Sequence, residues 1–434
     1  MDALLNLNII DGPVVGVVYT LGLGALLFLL VRRLTVRWLI TVVAALLAGS
    51  IGALVTLWIS SATDAFGVAL SATTSAWVYI VFAAVCLAIA SLWRSSILRT
   101  VTAAVSIVLF IAVGTVAINA DFGLDRTVAD LAGVSTATVT RLPQVAPATV
   151  PITPSGPLFA SWKPPASMPL VGSVSSVVIP NTVSGFTSRP AGLYLPPAAL
   201  VKDPPALPLV VMMMGQPGNP DPSFQQQVLD GIAARHSGLA PIVLVVDQLG
   251  SISVDPLCID SARFGNANTF LVKDAVAFAR THLHVLQDAA HWTIAGYSNG
   301  GECALSLGAA HPEIWGNVLD ISGEEYAGSD AHAKTLASMF AGNVAEYNAT
   351  KPLGILAAHH YADTVGIFTV GSNDRAYRTQ AIAVTAAAKA AGWATTYFEV
   401  PNGGHVAKAL MGGLAEGYTV LFPRLGLSAH GAAV

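Results

Sequence analysis

Thr293-Ile294-Ala295-Gly296-Tyr297-Ser298-Asn299-Gly300-Gly301 decides the reading of the second half of this 434-residue chain. An apolar run enters a Gly-x-Ser-x-Gly turn. A run of small residues, Glu302-Cys303-Ala304-Leu305-Ser306-Leu307-Gly308-Ala309-Ala310, leaves it. Strand, sharp turn, helix is the context in which this motif forms a nucleophile elbow. Such a turn lifts the Ser298 hydroxyl out of a sheet and sets it at a helix N-terminus. Free N–H groups and the helix dipole there favour developing negative charge. Gly296 and Gly300 let strand and helix approach each other. The bare motif is expected roughly 0.2 times by chance in a chain this long, so its surroundings must carry the reading.

Outward from the turn, short apolar runs alternate with helical segments. Residues 173–179 and 191–195 read as an opening antiparallel pair. The runs 207–214 and 242–246 are continuously apolar, as strands buried on both faces require. Residues 292–295, 318–321, 366–370 and 396–400 complete the strands, with helical periodicity over 269–283 and 378–391. Alternation of this kind predicts a mostly parallel sheet with helices on both faces. Ligands then sit at the carboxyl ends of the strands.

A serine is a weak nucleophile without a base, and the base needs an orienting acid. Gly371-Ser372-Asn373-Asp374 follows one late strand and Pro401-Asn402-Gly403-Gly404-His405 follows the next. Ser298, Asp374 and His405 therefore form the expected catalytic set, in the order nucleophile, acid, base. Asp374 could otherwise serve only as a helix N-cap, and His405 as a loop histidine. His311, His359 and His360 are weaker bases, because none follows a late strand. The oxyanion donors are expected to be the N–H of Asn299 and one from Gly215-Gln216-Pro217-Gly218 after the third strand. Gln216 is preferred over Gly215, and Pro217 has no N–H to give. Tyr297 and Gly215 are expected beside the substrate. Cys258 and Cys303 should lie close at the top of the sheet, in reach of a disulfide, with two free thiols as the alternative.

At these residues a resemblance becomes clear. Gly296-Tyr297-Ser298-Asn299-Gly300-Gly301, then His311-Pro312-Glu313-Ile314-Trp315, then Ile321-Ser322-Gly323 resemble the elbow, the helix ending in His-Pro and the next strand end of the esterase D and mycolyltransferase branch of the α/β-hydrolases. The resemblance covers roughly the last three fifths of the chain. It implies Ser298 as nucleophile, Asp374 as acid and His405 as base; acyl transfer through such a set needs no metal or organic cofactor. One departure is Gly-Gln-Pro-Gly where many esterases carry His-Gly.

The first part of the chain is different in kind. Overall, 54% of residues are hydrophobic and only 11% charged, too apolar for an ordinary soluble enzyme. Residues 13–31, 38–60, 77–93 and 101–118 lack charge and approach the ~20 residues that cross a bilayer. Basic residues follow the first span rather than precede it, which argues against a signal peptide. Arg32, Arg33 and Arg37 lie in the first loop and Arg94 and Arg99 in the third, while the second carries only Asp64. The arginine loops are therefore expected on the cytoplasmic side, with both termini outside. No span carries a buried charge that would mark a transport path. Gly49, Ala53 and Gly114 offer small-residue helix contacts. Residues 142–165 are rich in Pro, Ala, Ser and Thr and read as an extended spacer.

The expected architecture is an α-helical membrane bundle of four spans (1–119), an extracytoplasmic linker (120–167) and an α/β-hydrolase domain with a mostly parallel sheet (168–434). A net charge of −4 without a basic block argues against nucleic acid, and no Cys/His cluster suggests zinc. The expected function is a membrane-anchored serine esterase acting on lipid or envelope esters, aminoacyl-phospholipid esters among them. The alternatives are a mycolyltransferase-like acyltransferase and a non-catalytic membrane scaffold.

Overall fold

The computed structural model describes residues 2–33, 35–63, 70–93, 95–134, 136, 139–140, 142, 156–252, 254–329, 331–432 and 434. Asp64, Arg94 and residues 143–155 of the expected spacer lie outside them. The chain forms two compact units, Met1–Thr136 and Ala137–Val434.

The first unit holds α1 (Pro13–Leu30), α2 (Val36–Ala62), α3 (Ala72–Ser91) and α4 (Ile97–Phe122). Their mean hydropathy over an 18-residue window runs from 2.0 to 2.5, and each is long enough to cross a membrane. Ser or Thr caps the starts of α2, α3 and α4, accepting from the backbone N–H three residues on. Gly49 of α2 packs against the Phe82–Ala83 backbone of α3, and Gly114 of α4 against Val81. Gly123, at φ 70°, ends α4. A short turn of helix, Val128–Leu131, follows, closed by a Thr127–Asp130 capping box. Backbone bonds from Ile9 N–H to Arg126 and from Val128 N–H to Leu7 tie it to the chain start. The first unit therefore runs past residue 119 to 136.

In the second unit an eight-stranded sheet carries the site. Its strands are β1 (Ser173–Val177), β2 (Ala191–Leu195), β3 (Leu209–Met213), β4 (Ile242–Val246), β5 (Trp292–Tyr297), β6 (Asn317–Ile321), β7 (Val365–Gly371) and β8 (Ala394–Val400). They lie in the order β1-β2-β4-β3-β5-β6-β7-β8. β2 runs against both its neighbours, and every other pairing is parallel. The unit is thus an α/β domain with a mostly parallel sheet, as expected. All residues of β3, β4, β5 and β6 are buried, which is why β3 and β4 are continuously apolar rather than alternating; Thr293, Asn317 and Asp320 are the buried polar residues of β5 and β6.

Helices α5 (Ser223–Arg235), α6 (Ala275–His282), α7 (Asn299–Ala310), α8 (His332–Met339), α9 (Val344–Thr350), α10 (Pro352–Ala358), α11 (Arg375–Ala390) and α12 (Ala407–Arg424) complete the unit. A turn of π-helix, Phe270–Asp274, leads into α6. Helices α8 and α9 build a small second core: Phe340 and Tyr347 pack with Ala327 and with Leu257 from the loop after β4. Residues 156–165, expected as spacer, instead pack on this unit. Phe159 N–H bonds Gly426 O at 3.1 Å, and Trp162 Nε1 bonds Ser237 O at 2.9 Å.

Candidate active site

Ser298 sits between β5 and α7 with φ 55° and ψ −122°, a conformation serine rarely adopts. Such backbone costs on the order of 1–3 kcal/mol and persists where the surroundings fix it. Here Ser298 N–H donates to Ile321 O at 2.9 Å, and Ser298 O accepts from Gly301 N–H at 2.8 Å and Glu302 N–H at 3.1 Å. A Cβ at Gly296 would collide with the Gly300 carbonyl, and one at Gly300 with the Met213 carbonyl. Glycine at both positions lets α7 press against the ends of β5 and β3.

Asp374 and His405 arrive from the next strand ends. The loops that carry them are laced together: Ser372 N–H to Val400 O (3.0 Å), Asn373 N–H to Gly403 O (2.8 Å) and Asn402 N–H to Ser372 Oγ (2.9 Å). Asp374 precedes α11, but its side chain makes no capping bond there. It turns to His405 Nδ1 instead, at 2.7 Å, while His405 Nε2 lies 2.7 Å from Ser298 Oγ. A carboxylate can only accept, so Nδ1 carries the imidazole proton and Nε2 is left to accept from the serine hydroxyl. A hydroxyl bonded to such an imidazole can lose its proton as it attacks an electrophile.

Two phenol rings lie against the imidazole. Tyr377, in the first turn of α11, lies 4.0 Å away between centroids, and Tyr297 lies 5.3 Å away on the other strand end. Tyr297, expected to line the substrate, is 2% exposed and backs the imidazole instead. Burial, then the nearby Asp374 and Tyr377, hold its phenol well above the ordinary tyrosine value. His311 pairs with Glu313 at 3.1 Å and His359 bonds Ile355 O at 2.8 Å; among the described residues only His405 is hydrogen-bonded to Ser298 Oγ.

Asn299 opens α7, so its N–H belongs to the helix's unpaired first turn. Gly215 lies against Ser298: a Cβ on it would come within 3.2 Å of Ser298 Cβ. Gln216 is exposed, and its bond to Pro217 is cis. Behind this loop lie groups that nothing in the sequence marks as part of the site. The Gln248 side chain bonds Met214 O and Asn299 Oδ1, and an ion pair at 2.7 Å between half-buried Arg189 and buried Asp247 adjoins it. The one sequence signal of Asp247 and Gln248 is position, at the carboxyl end of β4.

Cys258 and Cys303 are joined by a disulfide, with Cα atoms 5.7 Å apart. It links the loop after β4 to α7, one turn past Ser298. Beside it lie two buried carboxyls, Glu302 and Asp320, each 2% exposed. Burial pushes Glu302 up to about 8 and Asp320 up to about 7.

No family model matches the chain. A curated protein of Corynebacterium glutamicum, described as uncharacterized, is 34% identical over 270 residues. The match takes in 60% of this chain and spans 62% of that relative's length. Among solved structures, a ferulic acid esterase is similar at 18% identity, over 56% of this chain and 94% of its own, with a TM-score of 0.47. An S-formylglutathione hydrolase from Agrobacterium tumefaciens is similar at 14% identity, over 60% of this chain and 97% of its own, with a TM-score of 0.47. A fluorophosphonate-binding serine hydrolase of Staphylococcus aureus, with substrate bound, is similar at 12% identity, over 59% and 99%, with a TM-score of 0.44.

Proposed function

We propose that this chain is a membrane-anchored serine esterase that hydrolyses carboxylic esters of membrane or envelope lipids on the outer side of the cytoplasmic membrane. The observation that carries the proposal is the continuous hydrogen-bonded line Ser298 Oγ–His405–Asp374, with 2.7 Å at both links, on a strained strand-to-helix turn. Ser298 Oγ attacks the ester carbonyl carbon while His405 Nε2 takes the hydroxyl proton. The carbonyl oxygen becomes an oxyanion, held by the N–H groups of Asn299 and Gln216. As the tetrahedral intermediate collapses, His405 returns the proton to the leaving alcohol and the acyl group stays on Ser298. Water then attacks with His405 again as base, and the carboxylic acid leaves. Asp374 keeps the imidazole in the required tautomer and stabilises its positive charge at each step.

Two features support a lipid or envelope ester as substrate. Four apolar helices precede the catalytic unit, and a lipid ester remains in or near a bilayer. The arginine asymmetry of the loops supports an outward-facing catalytic unit. The test is a strain in which Ser298→Ala replaces the wild type. Ester-linked lipids should accumulate, and fluorophosphonate labelling of the full-length protein in membranes should vanish. Labelling at the wild-type level, or an unchanged lipid ester profile, would overturn the proposal.

A further inference from the structure

We propose that Gln248 is a positioning residue for the oxyanion pocket, holding the loop after β3 in register with the residue after the nucleophile. The inference rests on the reading of Ser298 as an acyl-transfer nucleophile. Strands β4, β3 and β5 lie side by side and parallel, with Met213 paired to both Val246 and Gly296. Their carboxyl ends therefore place Gln248, Met214 and Asn299 in one row across the sheet. Gln248 is 2% exposed. Its Nε2 donates to Met214 O at 2.6 Å and to Asn299 Oδ1 at 3.0 Å. One NH2 group thus ties together the two chain segments that supply the oxyanion donors.

The chemistry of that position is selective. Both acceptors are carbonyl oxygens, so only a group with two hydrogens on one atom can bridge them. A carboxylate there would face both oxygens with like partial charge. A methionine would keep the length and leave two buried carbonyls unbridged. The residue before Gln248 secures the other end of the same loop. Asp247 pairs with Arg189 at 2.7 Å, and Arg189 Nη1 donates to Asn219 Oδ1 at 2.8 Å. Asp247 is itself 2% exposed and also accepts from the N–H groups of Arg189 (2.6 Å), Leu249 (3.2 Å) and Gly250 (3.1 Å). The dipeptide Asp247-Gln248 therefore grips the loop from 214 to 219 at both ends. Between those grips lie Gly215, Gln216, Pro217 and Gly218, of which only Gln216 has a side-chain donor, and its side chain is exposed. Gln248 touches no reacting atom and acts only through Met214 and Asn299.

The test uses full-length protein in detergent: wild type, Gln248→Met and Gln248→Glu. Turnover of a p-nitrophenyl ester is measured per site titrated with fluorophosphonate, so that misfolded protein is not counted. Affinity for a trifluoromethyl ketone, which forms an oxyanion-bearing adduct with Ser298, is measured alongside. The expected result is a fall in kcat of about 10- to 100-fold with KM within about twofold. The ketone should weaken by a similar factor, and the Glu variant should be the worse. A purely structural role would lower the number of titratable sites and leave kcat per site and ketone affinity unchanged. That result overturns the inference. If neither variant yields titratable protein, Asn219→Ala, which releases only the far end of the loop, should lower kcat per site several-fold, and an unchanged kcat refutes the grip. Wild-type protein that neither labels nor turns over the ester refutes the esterase reading, and the inference with it. An active wild type with indifferent Gln248 variants refutes the inference alone.

Discussion

Replacing Glu302 by Gln should make the catalytic unit more resistant to alkaline pH. Glu302 lies in the first turn of α7, 2% exposed, with Ser306 as its hydrogen-bond partner. Burial above all, then the carboxylates of Glu324, Asp255 and Asp320, hold it up to about 8 against the Ser306 bond, compared with an ordinary value of 4.5. Between about pH 4.5 and 8 the folded unit therefore keeps a proton that the unfolded chain releases. With more protons bound in the folded state, stability falls as pH rises, fully present below the lower value and lost by the upper one. The slope within that window is on the order of 1 kcal/mol per pH unit, or a few kcal/mol across it. Gln keeps the shape and a partner for Ser306 but cannot ionise. Asp320, up to about 7 against 3.8, adds a slope of the same sign that the variant retains. The assay is urea unfolding of the full-length protein at a series of pH values, read by fluorophosphonate labelling of Ser298. The stability difference, variant minus wild type, should grow by a few kcal/mol from pH 5 to 8.5. Parallel curves, or a wild type that gains on the variant as pH rises, would refute the reasoning.

Asp374→Asn should lower kcat by about 10⁴-fold at unchanged melting temperature, because the amide favours the wrong imidazole tautomer; initial rates within tenfold of wild type would remove Asp374 from the orienting role. Replacing both Cys258 and Cys303 by Ser opens a loop with a sequence separation of 45 and should cost about 4 kcal/mol in urea unfolding under non-reducing conditions. Gly300→Ala puts a methyl group into the Met213 and Met214 carbonyls, so little labelable protein should accumulate in membranes. Normal labelling of that variant would show that α7 can retreat from β3 without loss of the site.

The strands were legible because burial on both faces writes itself as an unbroken apolar run, as in 207–214 and 242–246. The four long apolar helices were legible for a related reason, since length and absence of charge are local properties. Ser298, Asp374 and His405 could be grouped because each follows a strand, and chain order then places all three at one edge of a parallel sheet. Gln248 could not be found this way. Its partners lie 34 and 51 residues away, and no local pattern distinguishes a glutamine that bridges two carbonyls from one in water. Glu302 reads as an ordinary acidic residue in a helix's first turn, where exposure is the rule. It is buried where the loop after β4 is tied to α7 through Cys258 and Cys303, with Asp255 and Glu324 nearby. Tyr297 stood in the variable place of the motif and suggested a substrate wall; its ring turns instead toward an imidazole more than a hundred residues further on. The proline-rich composition of 142–165 speaks of extended backbone and says nothing about what Phe159 and Trp162 touch. The end of the first unit moved to 136 for the same reason, since Thr127 and Val128 are held by residues at the chain start.

The sulfurs of Cys258 and Cys303 belong to residues 3% and 0% exposed. A thiolate must strike one sulfur along the bond axis, and the folded unit leaves no path for it. Exchange at this bridge therefore waits on an opening of the loop after β4 or of α7 itself, and its rate reports how often that opening occurs. Surrounding redox potential sets where the equilibrium lies, but the lifetime of the bond is a mechanical property of the fold. Timed alkylation after a pulse of reductant would thus serve as a clock for excursions of the helix that follows Ser298.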